Sequence, residues 1–189
     1  MTVVLWLLAL QGFIGAFDTL YYHEWRARLP ARVPGTAPEL RLHAVRDFLY
    51  AVLFGSLAWL AWQGFWALVL AAVILAEIVL TLTDFVVEIR VRKPLGDVYA
   101  GERVTHAVMG IIYGSMVANL VPVLWHWWSA PTAFTISPQG SELLRWTLTA
   151  MSAGVFLSGM RDLYAAIGLP RGAWPWGAAV RATGNVPCN

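Results

Sequence analysis

Six acidic and imidazole side chains recur at matched spacings along this chain. Glu24-Trp-Arg-Ala-Arg-Leu-Pro30 and Glu88-Ile-Arg-Val-Arg-Lys-Pro94 both read E-x-R-x-R-x-P, at an offset of 64. Further on, Glu39 and His43 begin an E-x-x-x-H-A-V segment that returns at Glu102 and His106, at an offset of 63. Tyr50 and Tyr113 follow each histidine by seven residues. Chance agreement in an apolar sequence would favour Leu, Ala and Val, whereas the positions shared here are mostly charged or polar. Four carboxylates and two imidazoles together offer the oxygen and nitrogen donors that hold divalent or trivalent metal ions.

The elements that must position these groups follow from the composition. The 189 residues are 59% hydrophobic and only 13% charged, and the mean hydropathy is +0.62. A soluble domain carries about a quarter charged residues, so disorder, a fibrous chain and an ordinary soluble enzyme are excluded. A membrane-spanning helix needs roughly 20 mostly apolar residues. Such runs fall at about 3–25, 40–62, 65–89, 104–125 and 143–167. Pro30, Pro34 and Pro38, the Gln63-Gly64 pair, Pro94 with Gly96, and the polar stretch 129–141 separate them.

The expected fold is therefore an all-α integral membrane protein of about five transmembrane helices. Helices 1–4 would form a four-helix bundle of two tandem helical hairpins, 1–63 and 64–128, within a single membrane domain spanning 1–189. A fifth helix lies in 138–170 and a short tail at 171–189. Val3 onward reads as a mature span, because no basic segment precedes it and no small-residue cleavage site follows.

Five alternating spans put every basic residue except Arg145 on or near one side, which the positive-inside rule makes cytoplasmic. The N-terminus is then outside and the C-terminus inside, with a bacterial inner membrane as the expected location. Trp59, Trp62, Trp66, Trp125, Trp127 and Trp128 would belong to an outer aromatic belt, and Trp25, Trp174 and Trp176 to an inner one. A net charge of +2 gives no reason to expect nucleic acid as a partner. The single cysteine, Cys188, permits neither an intramolecular disulfide nor a cysteine zinc site.

In this arrangement all six repeated residues lie at the cytoplasmic end of the bundle. Each helix brings one carboxylate, and helices 2 and 4 add one imidazole each, on the same face as its glutamate at i+4. The pattern resembles the ferritin-like di-iron and di-manganese carboxylate proteins, which take a Glu from each of two helices and a Glu-x-x-His from each of the other two. The resemblance implies Glu24 and Glu88 as the single glutamates and Glu39/His43 and Glu102/His106 as the paired motifs, holding two iron ions or manganese. The spacing here is one residue longer, Glu-x-x-x-His, which turns the imidazole by a fraction of a turn. Taken singly, such glutamates beside Arg26, Arg28, Arg90 and Arg92 would be interfacial ion pairs of little energetic weight.

A deeper layer adds Asp47, four residues beyond His43, and Asp84, four before Glu88. Either could orient a histidine through its second nitrogen, and Tyr50 or Tyr113 could carry an electron or a proton. Glu77, near mid-membrane, and Asp18, with Tyr22 at i+4, must face the interior, where a charge costs at least about 2.5 kcal/mol. His23 neighbours Glu24 but points about 100° away on an α-helix and has no repeat partner, so it ranks low as a ligand. His126 falls in the outer tryptophan cluster. Gly110, Gly114, Gly154 and Gly159 suit close helix packing.

Several functions fit these residues. The first is a membrane-embedded di-iron oxidoreductase, an oxidase or oxygenase. It would act on a lipid, quinone or other apolar small molecule entering from the bilayer, with an external electron donor. The second is a metal-ion or proton transporter that uses the acids Glu88, Asp84, Glu77 and Asp18. The third is a haem b protein with His43 and His106 as axial ligands, which leaves the repeated glutamates without a role. The fourth is a scaffold subunit without chemistry. The sequence does not fix the oligomeric state.

Overall fold

The computed structural model describes residues 1–177. Arg181 and Cys188 and most of the expected 171–189 tail lie outside the described residues. The chain is mostly helical, with five principal helices: α1 (Thr2–Phe17), α2 (Ala37–Ser56), α3 (Phe65–Arg92), α4 (Ala100–Trp128) and α5 (Glu142–Ala166). Helix α1 runs directly into a π-helical stretch, Asp18–Ala27, which ends at Arg28 in the left-handed conformation (φ 52°). Pro38 stands in the first turn of α2, where its missing N–H costs nothing. The side chain of Ser141 caps α5 by accepting from the Leu144 amide at 3.3 Å.

Three helical stretches are long and apolar enough to cross a membrane: Thr2–Arg32, Phe65–Leu95 and Ala100–Trp128. Helices α2 and α5 fall short of that standard by composition. The former carries Glu39, Arg41, Arg46 and Asp47, and the latter Glu142, Arg145, Arg161 and Asp162. Five spans were expected from the sequence. The difference lies in these charges, most of which are directed at other helices and not outward.

One local feature also departs from expectation. The second helix stops at Ser56, and Leu60–Gln63 forms a strand (β1) paired antiparallel with Ala133–Ile136 (β2). The stretch 129–141, expected as a polar linker, thus supplies the partner strand. The hairpin between β1 and α3 depends on Gly64, with φ 58° and ψ −127°. A Cβ there would stand 2.7 Å from the Thr132 backbone nitrogen. Gly64→Ala should therefore cost about 1–3 kcal/mol in backbone strain alone, plus the displacement of Thr132. Thermal unfolding in detergent would test this, and an unchanged midpoint would contradict it.

The helices pack in the cyclic order α1–α4–α3–α2–α5 and back to α1. Helix α5 lies along α2 over most of its length. It is therefore part of the helical assembly, and its Asp162 is buried. The main core gathers at the strand end of the molecule, around Leu5, Leu8, Leu53, Leu57, Leu70 and Leu120. Tryptophans collect at both ends. Trp62 and Trp66 pack on Phe134, and Trp59 meets Trp146. At the other end Trp25 meets Trp176, and the Arg28 guanidinium lies over Trp176. The outward faces of α3 and α4 are apolar, with Leu75, Val79, Leu82, Val86, Val104 and Ile111 all more than half exposed. In the loop before α4, the Val98 amide and the Arg103 guanidinium hold the exposed Asp97 carboxyl below its usual range.

Candidate metal centre

Seven carboxylates are buried in the half of the molecule away from the strands: Asp18, Glu39, Glu77, Asp84, Glu88, Glu102 and Asp162. They join into one network through three histidines and two arginines. On one side His23 Nε2 lies 3.3 Å from Asp18 Oδ2 and 3.2 Å from Glu102 Oε1. His106 Nε2 lies 3.1 Å from Asp18 Oδ2, and its Nδ1 is 3.7 Å from Glu88. On the other side His43 Nε2 lies 3.2 Å from Asp84, and its Nδ1 is 3.8 Å from Asp162. The His23 and His43 rings stack at 4.6 Å, which ties the two sides together.

Arg92 is the largest wholly buried side chain. Its Nε donates to both oxygens of Glu39, at 2.8 and 3.0 Å, and its second terminal nitrogen donates to Glu102 Oε1 at 2.9 Å. The two repeat-matched glutamates are thus fastened to one guanidinium. Arg46 donates to Asp84 Oδ2 at 2.7 Å and sits 3.8 Å from Glu77, which also accepts from Thr81 at 2.7 Å. Two guanidiniums cannot balance seven carboxylates, and burying net charge of one sign is prohibitive without further cations or protons.

The expected ligands divide in space. Glu88, Glu102 and His106 converge so that one donor atom from each lies within 4.8 Å of the others, and Asp18, His23 and His106 do the same. Glu39 turns away to Arg92, and His43 turns to Asp84. Glu24 faces out of the network, where it accepts from Arg161 at 2.6 Å and from the Trp176 indole at 3.1 Å. Asp47 packs against Gly159 of α5, and the acid beside the outer nitrogen of His43 is Asp162 instead. Asp84 does meet an imidazole. Tyr50 accepts from Gln11 at 3.2 Å, and the Tyr50 and Tyr113 rings lie 5.9 Å apart, one layer nearer the strands.

His23, ranked low as a ligand, and Asp18, read as an interior acid but not as a ligand, are the residues missing from the expected set. The π-helical stretch explains why. Its i→i+5 bonding widens each turn, so residues five apart share a face. Asp18 and His23 are five apart. On an α-helix Glu24 would have been the inward residue, as Glu88 is on α3. The signal available in the sequence was the spacing itself: two more residues separate Asp18 from Glu24 than separate Asp84 from Glu88.

Whether these residues suit a metal can be judged from their unspent polar atoms. Asp18 Oδ1, His23 Nε2, Glu88 Oε2 and Glu102 Oε2 are all buried without a hydrogen-bond partner. Each such atom costs on the order of 1–3 kcal/mol if left unsatisfied. The unspent carboxylate oxygens, with the imidazoles of His23 and His106 beside them, form a donor set of the mixed oxygen–nitrogen kind that iron and manganese accept. Both groupings include His106, whose Nε2 faces Asp18 and whose Nδ1 faces Glu88. The haem arrangement fits less well, because His23 stacks on His43 and approaches His106 at 6.3 Å, filling the space a macrocycle would need.

Comparison with protein-family models, curated proteins and solved structures gave no significant match.

Proposed function

We propose that this chain is a membrane-embedded metalloenzyme, a di-iron (or di-manganese) oxidoreductase acting on an apolar molecule from the bilayer. The observation that carries the reading is the pair of buried groupings that share His106, Asp18–His23–His106 and Glu88–Glu102–His106, in which each carboxylate keeps one buried oxygen without a hydrogen-bond partner. Asp18, His23, Glu88, Glu102 and His106 would hold the metal. The arginine-bound Glu39 and the stacked His43 would fix the positions of Glu102 and His23. A bound di-iron centre supplies dioxygen activation. The protein's own part is to hold the ligands rigidly, to keep water out, and to let His43 exchange a proton between Asp84 and Asp162 on its two sides. Electrons would come from an external donor.

The reading includes five membrane crossings, with the metal cluster near the cytoplasmic face of a bacterial inner membrane. Long apolar stretches, outward-facing leucines and valines on α3 and α4, and tryptophans at both ends support insertion. The tandem hairpin repeat is supported by the two matched histidines, which make similar contacts: His43 of α2 reaches Asp84 of α3, as His106 of α4 reaches Asp18 in the π-helical stretch, although the residue at the position of Asp84 in the first hairpin is Leu20. Transport of ions has less support. Outward of Gln11 and Tyr113 the interior is filled largely by Leu5, Leu8, Leu53, Leu57 and Leu120, with no charged side chain buried among them in the described residues.

Elemental analysis of detergent-purified protein, expressed with ample iron, tests the proposal. Two irons or manganese per chain are expected in the wild type, and a loss of most of that metal in His106→Ala. Transition metal at background level in the wild type would overturn the metal reading.

A further inference from the structure

Two crevices adjoin the metal cluster on its strand-ward side. One, of about 320 Å³, lies among α1, α2 and α5. The other, of about 300 Å³, lies between α3 and α4, with Gln11, Arg46 and Tyr50 along its floor and His106 at one end. Tyr50 and Tyr113, matched in the sequence, are both among the residues that line the second crevice.

The two crevices differ in what covers them. On α2, Asp47 and Ala51 are occupied by α5. Gly159 packs against Asp47, and the Ser152 hydroxyl donates to the Ala51 carbonyl at 2.7 Å. The residues 63 positions later are Gly110 and Gly114 of α4. Both are exposed, and a Cβ on either would meet nothing within 4 Å. The fifth helix therefore roofs part of one crevice, with Gly154 exposed at its rim, whereas no described helix packs on Gly110 and Gly114 beside the other.

The open crevice also holds unspent polarity. Tyr113 Oη, Arg46 Nε and Gln11 Oε1 are buried and without a hydrogen-bond partner, and Tyr113 and Gln11 are only 7% and 4% exposed. Beside them stand Glu77, 3.8 Å from Arg46 Nε, and Thr81, and the other walls are apolar, among them Ile78, Leu82, Phe85 and Val117. Two donors and one acceptor, set in an apolar slot, suit an oxygen that alternates between carbonyl and hydroxyl on an apolar body. A plain hydrocarbon would leave all three unsatisfied, at a cost the site has no reason to bear.

We propose that the crevice between α3 and α4 binds a quinone or quinol that enters sideways from the bilayer past Gly110 and Gly114, its oxygen held by Tyr113, Arg46 and Gln11. This rests on the reading that the chain spans a bilayer, and it names the class of apolar molecule that reaches the metal centre. The sideways opening needs no moving lid, since no helix among the described residues covers it at Gly110 and Gly114.

The test uses the full chain in phosphatidylcholine nanodiscs and an azido-benzoquinone with a ten-carbon tail as photolabel, mapped by mass spectrometry. Label is expected on 78–85 or 109–117. Gly114→Leu should reduce it about ten-fold or more by filling the slot, and Tyr113→Phe by roughly three- to ten-fold through the lost hydrogen bond. Gly154→Leu, beside the roofed crevice, should leave labelling as in the wild type. Thermal unfolding of each variant checks that it folds. Label on α1 and α5 that Gly154→Leu suppresses, or α3–α4 label that neither Gly114→Leu nor Tyr113→Phe reduces, would overturn the proposal. Metal is counted on the same samples. Labelling without metal would reject the metal centre alone, and metal without α3–α4 labelling would reject the quinone site alone.

Discussion

Arg92→Gln is expected to destabilise the protein by about 3–5 kcal/mol, the cost of leaving a buried ion-pair partner uncompensated. Arg92 is 1% exposed and binds Glu39 through both carboxylate oxygens and Glu102 through one. Glutamine is too short to span both acids and carries no charge, so two carboxylates would remain in a place with no water. Arg90→Gln, two residues away and exposed, should change stability by less than about 0.5 kcal/mol. Adding Glu39→Gln to Arg92→Gln should recover part of the loss, because the second change removes one of the stranded charges. That non-additivity is the signature of direct coupling. Thermal unfolding in a single detergent would measure all five proteins, wild type, Arg90→Gln, Arg92→Gln, Glu39→Gln and the double variant. An Arg92→Gln midpoint equal to that of wild type would show that Arg92 is not the pin holding α2, α3 and α4 together.

His23→Ala is expected to lower metal affinity by roughly 10–100-fold or more, the range seen when even the outer partners of a metal site are lost. Glu24→Ala should leave metal content near the wild-type value. The contrast is sharp because the two residues are adjacent in sequence. His23 lies 3.3 and 3.2 Å from Asp18 and Glu102, while Glu24 lies on Arg161 and Trp176 outside the network. Competition with a metal-responsive fluorescent chelator would measure both. Retention of metal by His23→Ala together with its loss in Glu24→Ala would mean that the α1 end winds as an ordinary α-helix in the membrane, with Glu24 turned inward.

The sequence by itself determined the helical class and the approximate position of each helix, because apolar runs of that length have few other stable forms. It also determined which end of the molecule is polar, because Glu39, His43, Glu88, Glu102 and His106 fall at matched distances from the breaks at Pro30 and Pro94. Glu88, Glu102 and His106 were legible as neighbours on the strength of that repetition. Their convergence needed only regular α-helical geometry on α3 and α4.

Tertiary structure decided the rest. The π-helical winding of 18–27 turned His23 inward and Glu24 outward, and its i→i+5 bonds leave no mark in a hydropathy pattern. Arg92 read as one of several interfacial arginines until α2 and α4 brought Glu39 and Glu102 to either side of it. Asp162, a charged residue near the end of the fifth apolar run, is buried because α5 packs on α2 and offers that acid to His43. The strands at 60–63 and 133–136 form only because each supplies the hydrogen-bond partner of the other, across some 70 residues of chain. Periodicity reports which face of a segment is apolar. Which polar group meets which is fixed by the packing of five helices, and no single segment contains that information.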